Sequence, residues 1–145
     1  MSVRIANKQR RRIRRRWLEK LAEAVMQAEG CSPQTELSIA IGDDAWIQEL
    51  NRKYRKKDRP TDVLAFPQGV GPAGSPLLGD VAVSAETAAR QAAEVGHSFQ
   101  RELALLVTHG ILHLTGWEDS SQVKRRRMMR RAQLILARIG IPVEA

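Results

Sequence analysis

The feature that most constrains this sequence is an apolar run that ends in two histidines. The residues from Leu103 to Val107 are hydrophobic almost all round, which indicates a helix buried in a core. His109 and His113 follow at positions i and i+4, so their imidazoles share one helix face about one turn apart. Gly116 then supplies a residue that tolerates the left-handed backbone conformation at which many helices end. The sequence therefore predicts a buried helix that presents two histidines near its carboxyl end.

Two histidines at this spacing can bind one cation, as the helical histidine pairs of zinc enzymes do. After Gly116 the chain can turn back and bring Glu118 or Asp119 beside them as a third, carboxylate ligand. Three protein ligands leave one position for water, which is the arrangement of catalytic zinc sites. Spacing alone does not separate this reading from a pair of structural histidines. Gly110 occupies the position at which H-E-x-x-H zinc proteases carry their general base, so peptide hydrolysis by that route is disfavoured.

The length of 145 residues predicts one domain, residues 1–145, that is large enough to bury a core. No run of about 18 apolar residues is present that would span a membrane. The basic N-terminal stretch lacks the apolar segment and cleavage site of a secretory signal. The single cysteine, Cys31, cannot form an intrachain disulfide and suits a reducing compartment. We therefore expect a cytoplasmic protein that does not contact a membrane.

The net charge of +8 is concentrated in three clusters, residues 1–16, 52–59 and 124–138, which hold 21 of the 24 Lys and Arg residues and one acid, Asp58. Residues 60–119 carry seven acids against Arg90 and Arg101. Any one cluster alone is consistent with a solvated helix face. Three together suit a polyanionic substrate, because Lys and Arg neutralise phosphates and release counterions. Only 4% of residues are aromatic, so we expect recognition of the nucleic-acid backbone more than base stacking.

Hydrophobic periodicity predicts an α/β domain in which a four-stranded mixed sheet is packed by about five helices, with the metal site at the end of a buried helix. The predicted strands cover residues 2–7, 36–41, 63–66 and 78–84. Long crossovers favour parallel pairing for the early strands, whereas the connection between the third and fourth strands permits an antiparallel step. Residues 63–66 are expected to form a buried strand, and residues 68–76, rich in Gly and Pro, a loop.

Helices are predicted over residues 8–29, after the turn at residues 42–44, over 85–94, through the histidine pair, and over 121–139. In the second of these, Trp46 or Ile47, Leu50 and Tyr54 are expected to face the core. Ser84 and Ser98 are candidate helix caps, and Gly140 and Pro142 should end the last helix. His97 is predicted to be a surface or capping residue and not a ligand.

The histidine stretch resembles the H-G-x-L-H-L-x-G-Y-D-H signature of the YbeY family, bacterial metal-dependent endoribonucleases of ribosomal RNA maturation. Six positions match, namely His109, Gly110, Leu112, His113, Leu114 and Gly116. Trp117 stands for the usual Tyr, Glu118 for Asp, and Asp119 for the third His, which is a zinc ligand in the family. A carboxylate binds zinc at a distance similar to an imidazole, so Asp119 is our preferred third ligand, with Glu118 as the alternative.

Two further segments are similar to the same family. Arg59 to Pro67 resembles its P-T-D-V-L-S-F-P region, and the preceding Leu50 to Arg55 matches L-N-x-x-Y-R. Leu78 to Val81 resembles its L-G-D-[IV] strand. The resemblance implies that Arg59 lies near the metal and contributes to activity by stabilising charge that develops on phosphorus.

The resemblance implies a single-strand-specific, zinc-dependent endoribonuclease that acts in 16S rRNA 3′-end maturation and ribosome quality control. Zinc would be bound by His109, His113 and Asp119, and Arg59 and His113 would be the catalytic residues. The expected partners are RNA, especially rRNA, and components of the small ribosomal subunit, without DNA. A ribosome-associated RNA-binding protein with a weak or non-catalytic metal site is the alternative. A hydrolase of small phosphate esters is disfavoured by the basic clusters.

Overall fold

In the computed structural model, which describes residues 1–69 and 76–141, four strands form one mixed sheet with five helices around it. The strands are β1 (Ser2–Asn7), β2 (Glu36–Gly42), β3 (Val63–Pro67) and β4 (Leu77–Ser84). The helices are α1 (Arg15–Ala28), α2 (Asp44–Arg55), α3 (Ala85–Val95), α4 (Phe99–Leu114) and α5 (Gln122–Ile139). The predicted α/β class and mixed sheet are confirmed.

The strands lie in the order β1-β2-β4-β3. β1 and β4 both run parallel to β2, with Ile5 and Val81 aligned on Ile39, whereas β3 pairs antiparallel with β4. The parallel pairs follow long crossovers, and the antiparallel pair follows a short connection, as the geometry of each pairing requires. Most of the loop predicted over residues 68–76, and Pro142, lie outside the described residues.

The hydrophobic core lies between one face of the sheet and α1, α4 and α5. Alternate strand residues such as Ile5, Ile39 and Val81 point into it, as expected from the two-residue period of a strand. α4 contacts α1, α3, α5, β3 and β4, so it is the central helix of the fold. Its buried side chains include Leu103, Ala104, Leu106, Val107, Ile111 and Leu112. The apolar run that precedes the histidines is therefore a buried helix, as predicted.

Gly110 allows α4 to lie close to the sheet. A Cβ atom at this position would be 2.7 Å from Val81 Cγ1 and 3.3 Å from Val63 Cγ2. The first of these distances is too short for two carbon atoms, so any larger residue would push the helix away from β4. The glycine between the two histidines thus fixes the position of their helix over the strands.

The first helix is shorter than predicted, because it begins at Arg15 and not at residue 8. Side chains hold the preceding residues in another conformation. Gln9 Nε2 donates to Asn7 Oδ1 at 2.6 Å, and Arg11 N donates to Gln9 Oε1 at 2.8 Å. Such local bonds compete with helical ones, and a run of arginines at a helix N-terminus also opposes its dipole.

α2 and β3 are more exposed than predicted. Asp43 caps α2 by accepting from Trp46 N at 2.8 Å, and Ile47 is buried, but Tyr54 is 56% exposed. The Tyr54 ring packs edge-on against Phe66, with 5.4 Å between the ring centroids. Because β3 is an edge strand, its residues before Pro67 are half-buried and not buried. The expectation that Tyr54 faces the core was therefore wrong.

None of the helices within residues 1–69 and 76–141 is both long enough and apolar enough to cross a membrane.

Candidate metal centre

The ends of α4 explain how the chain returns to the histidines. Ser98 caps the first turn by accepting a hydrogen bond from Arg101 N at 3.1 Å. At the other end, Gly116 adopts a φ of +106°, and Trp117 N donates to Leu112 O at 3.0 Å. This is the hydrogen-bond pattern of a helix that ends at a glycine in the left-handed region. The predicted stop at Gly116 is present, and it turns the chain back past the end of α4.

This turn brings one carboxylate to the two histidines. His109, His113 and Asp119 each offer one ligand atom, and the three atoms lie within 4.8 Å of one another. The two imidazole rings are 5.0 Å apart, and His113 Nε2 lies 3.5 Å from Asp119 Oδ2. Glu118 is exposed and binds Lys124 Nζ at 2.6 Å. Of the two carboxylates that the sequence left open, the structure thus places Asp119 with the histidines.

The donor set of this cluster suits a metal ion. In a tetrahedral zinc site, neighbouring ligand atoms are about 3.3 Å apart, close to the separation between His113 and Asp119. Burial, and next the neighbouring His113, lower the pKa of His109. A lowered pKa keeps His109 neutral near pH 7, which is the form that binds metals. The cluster can therefore hold a metal ion without first losing a proton from His109.

Asp62 is an acidic neighbour of this cluster that no pattern in the sequence assigned to the site. Its negative charge acts on His109 and partly opposes the lowering of the histidine's pKa. The Asp62 carboxylate accepts hydrogen bonds from Val63 N at 2.7 Å and from Gln91 Nε2 at 3.3 Å. Asp62 directly precedes β3, and because β3 packs on α4, Asp62 lies near His109. The T-D-V-L motif is the sequence signal that could have identified Asp62 as a site residue.

Glu29 is a second residue that the sequence did not single out. This carboxylate, at the end of α1, accepts hydrogen bonds from Thr115 Oγ1 at 2.9 Å and from Trp117 Nε1 at 2.7 Å. It also binds Arg131 Nε of α5 at 2.9 Å, and its side chain is only 6% exposed. Glu29 therefore joins α1, α5 and the turn that carries Asp119.

The structure does not bring Arg59 into contact with the three clustered residues. Arg59 is exposed, and its carbonyl oxygen accepts from Asn51 Nδ2 at 2.9 Å. Across residues 1–69 and 76–141, its guanidinium makes no hydrogen bond or salt bridge. Arg55 is more constrained, because its guanidinium lies over the Phe66 ring and donates to Ala65 O on the outer edge of β3.

His97 was predicted to be a surface or capping residue, and the structure favours capping, because His97 N donates to Ala92 O at 2.9 Å beyond the end of α3. Its side chain is 12% exposed, and Nε2 lies 4.0 Å from the buried carboxylate of Glu102. The neighbouring Gly96 and Ser98 are exposed, so it is the His97 side chain that turns inward between α3 and α4. His97 is not one of the three residues whose ligand atoms cluster within 4.8 Å.

A cavity of about 820 Å³ lies on the other face of the sheet. It is lined by Ala40 and Ala82, which alternate with core residues along their strands, and by the aromatic rings of Trp46 and Phe66. It contains none of the three clustered residues, so its size does not mark the site of metal chemistry.

Comparison with known proteins identifies the family. Residues 4–140 match the family model described as Endoribonuclease YbeY. A protein of that name from Aquifex aeolicus is 46% identical over 121 residues, covering 83% of this chain and 80% of the relative. The protein of that name from Geobacter metallireducens is 46% identical over 143 residues, covering 94% of this chain and 95% of the relative.

A solved structure supports the same conclusion at the level of the fold. The solution structure of a Thermotoga maritima protein is 27% identical and superposes with a TM-score of 0.60. The match covers 95% of this chain and 91% of that protein. With the match to the family model and relatives above 40% identity over most of their length, the chain belongs to the YbeY family.

Proposed function

We propose that this protein is a metal-dependent endoribonuclease that cleaves single-stranded RNA during maturation of the 16S rRNA 3′ end and in ribosome quality control. The observation that carries the proposal is the cluster of His109, His113 and Asp119 in a chain whose relatives are named endoribonucleases. The proposal places the protein in the cytoplasm, with rRNA and components of the small ribosomal subunit as its partners. Neither a membrane nor DNA is among them.

We assign the metal to His109, His113 and Asp119, with zinc as the ion, because two imidazoles and one carboxylate form an established open zinc site. When bound, zinc would polarise a phosphoryl oxygen and lower the pKa of a coordinated water. The ligands lie on two neighbouring elements, the last turns of α4 and the segment that follows the Gly116 turn. Exchange of a family histidine for a carboxylate makes the donor set harder, so we expect a broader metal preference than for three histidines.

The catalytic residues in this proposal are Arg59 and His113. His113 contributes as a metal ligand. Arg59 contributes a guanidinium that would stabilise negative charge on the phosphate during cleavage. Its exposure, together with a backbone anchored by Asn51, supports this role, because the side chain is available to a bound substrate.

An RNA substrate, in preference to a small phosphate ester, is supported by the charge distribution. The three basic clusters hold 21 of the 24 Lys and Arg residues. A surface of this kind binds a polyanion through counterion release, which gives a steep dependence of affinity on salt. A hydrolase of small esters has no need for such a surface.

The direct test is cleavage of matched single-stranded and double-stranded RNA oligonucleotides by the purified protein with added zinc. Single-stranded cleavage that a chelator abolishes, and that zinc restores, is the expected result. A His113→Ala variant should be inactive, and an exposed α3 variant, Glu94→Ala, serves as the folded control. Zinc-independent cleavage of equal strength by wild type and His113→Ala would contradict the proposal.

One specific observation favours a second candidate, a ribosome-associated RNA-binding protein with a weak or non-catalytic metal site. Asp119 stands where the family signature has a histidine. If this exchange weakens the metal site enough, the protein would bind RNA with a steep salt dependence but would not cleave it. Binding without cleavage in the assay above selects this second candidate.

A further inference from the structure

The N-terminal basic cluster and the basic cluster of α5 lie at different distances from the candidate metal centre. In the N-terminal cluster, Arg11 lies over the ring of Phe99, the first residue of α4, at 5.5 Å. His113 is almost at the other end of the same helix, roughly 20 Å away at 1.5 Å per residue. Arg11, in the middle of the N-terminal cluster, therefore lies at the opposite end of α4 from the candidate metal centre.

The cluster on α5 lies beside the metal centre. Lys124 and Arg127 line a depression of about 310 Å³, together with Gly116, Trp117 and Glu118. The same three turn residues also line a depression of about 400 Å³ that contains His113 and Asp119. Because the two depressions share three lining residues, a continuous surface leads from Arg127 to the candidate metal ligands.

Not every basic residue of α5 is available to a ligand. Arg131 is bound to Glu29, and Lys124 is bound to Glu118. Arg126, Arg127 and Arg130 are exposed, and within the part of the chain that the structure describes their guanidinium groups make no hydrogen bond or salt bridge. The spacings i, i+3 and i, i+4 bring these three close together on the side of α5 away from the buried Met128.

We propose that Arg126, Arg127 and Arg130 bind the phosphodiester backbone of the RNA substrate and direct the strand past Trp117 to His113 and Asp119. Three neighbouring guanidinium groups without acidic partners match a chain of phosphates, to which Arg can donate two hydrogen bonds at a time. This inference rests on the proposed function, since it assigns a binding surface to the substrate of that reaction.

The test measures binding of a fluorescently labelled single-stranded RNA oligonucleotide by anisotropy at several salt concentrations, with a chelator present to prevent cleavage. The variant is Arg126→Ala/Arg127→Ala/Arg130→Ala. The matched control is Arg10→Ala/Arg12→Ala/Arg16→Ala, which removes the same charge from exposed residues of the N-terminal cluster. Losing three phosphate contacts should reduce the slope of log affinity against log salt by about 2. It should weaken binding roughly 100-fold at 0.1 M salt, and the control should lose much less.

A second variant separates charge from folding. Arg126→Lys/Arg127→Lys/Arg130→Lys keeps three positive charges, so it should retain most of the salt dependence, while the alanine variant should melt within a few degrees of wild type. Equal losses in the α5 variant and the N-terminal control, or no loss in the α5 variant, would overturn the inference. Tighter binding of the wild-type protein to polyglutamate, an anionic polymer without phosphates, than to RNA would also overturn it. If wild type cleaves RNA but the α5 variant binds normally, only this inference fails; if wild type shows no salt-dependent RNA binding, the proposed function fails as well.

Discussion

Replacing Glu29 with alanine removes the buried carboxylate that joins α1 to α5 and to the turn after α4. Thr115 Oγ1, Trp117 Nε1 and Arg131 Nε would each lose a hydrogen bond of 2.7–2.9 Å. The Arg131 side chain is 22% exposed, so water replaces its carboxylate partner only in part. Hydrogen bonds to charged groups contribute about 1.5–3 kcal/mol, and loss of one partner of a buried ion pair costs about 3–5 kcal/mol.

We therefore expect Glu29→Ala to lower the free energy of unfolding by about 3 kcal/mol. For a chain of this length, that corresponds to a fall in Tm of about 10 °C, measured by thermal unfolding. Glu29→Gln should lose about half as much, because the amide oxygen still accepts a hydrogen bond but carries no charge for Arg131. Glu23→Ala on the same helix is the control; Glu23 makes no side-chain hydrogen bond within the described residues, so its change should stay below about 0.5 kcal/mol.

Substitution of Glu29 should also affect metal binding, because Glu29 fixes the turn that carries Asp119. Residues that orient metal ligands typically contribute 10- to 100-fold to affinity. We expect Glu29→Gln to weaken zinc binding about 10-fold in a competition assay with a chromophoric chelator, with the fold retained. A Tm for Glu29→Ala within 2 °C of wild type would refute the reasoning about this network.

Three further predictions concern other parts of the protein. Gly110→Ala should destabilise the protein by about 1 kcal/mol in chemical unfolding, because overpacking against Val81 costs about 1–3 kcal/mol and improved helix propensity returns about 1 kcal/mol. A stabilised variant would show that α4 can move off the sheet. Arg59→Ala should reduce RNA cleavage about 100-fold or more while zinc content stays near that of wild type; parallel loss of both would exclude its assigned role. Burial raises the pKa of Glu102 in the folded protein above its ordinary value of 4.5. Wild type therefore loses stability as the pH rises from 4.5 through the raised pKa, because the folded protein must then hold a buried charge. Glu102→Gln should therefore gain stability relative to wild type between pH 4 and pH 7, and an unchanged difference across that range would contradict the assignment.

The parts of the site that the sequence predicted are those set by local geometry. The helical period alone places His109 and His113 on one face, and a glycine after the last turn is a common helix end. Sequence also predicted a buried α4, since five apolar residues in succession leave no polar face for solvent.

The parts that the sequence did not predict depend on contacts between distant residues. Glu29 is separated from its partners Thr115 and Arg131 by 86 and 102 positions, and no local pattern marks it. Glu118 and Asp119 are adjacent, so the sequence left both open as ligands; the salt bridge from Lys124 to Glu118 distinguishes them in the fold. Tyr54 fits the apolar stripe of α2. Its ring, however, packs on Phe66 of the edge strand β3, where no further element covers it, so it is exposed.

The most direct test of the metal centre is its stoichiometry, measured by elemental mass spectrometry on protein purified without chelators and loaded with zinc. Wild type and Glu118→Ala should each hold close to one zinc ion per chain, and Asp119→Ala should lose it, because Asp119, and not Glu118, lies with the two histidines. Wild type without zinc, or Asp119→Ala that keeps zinc while Glu118→Ala loses it, would contradict the assignment of His109, His113 and Asp119 as the metal ligands.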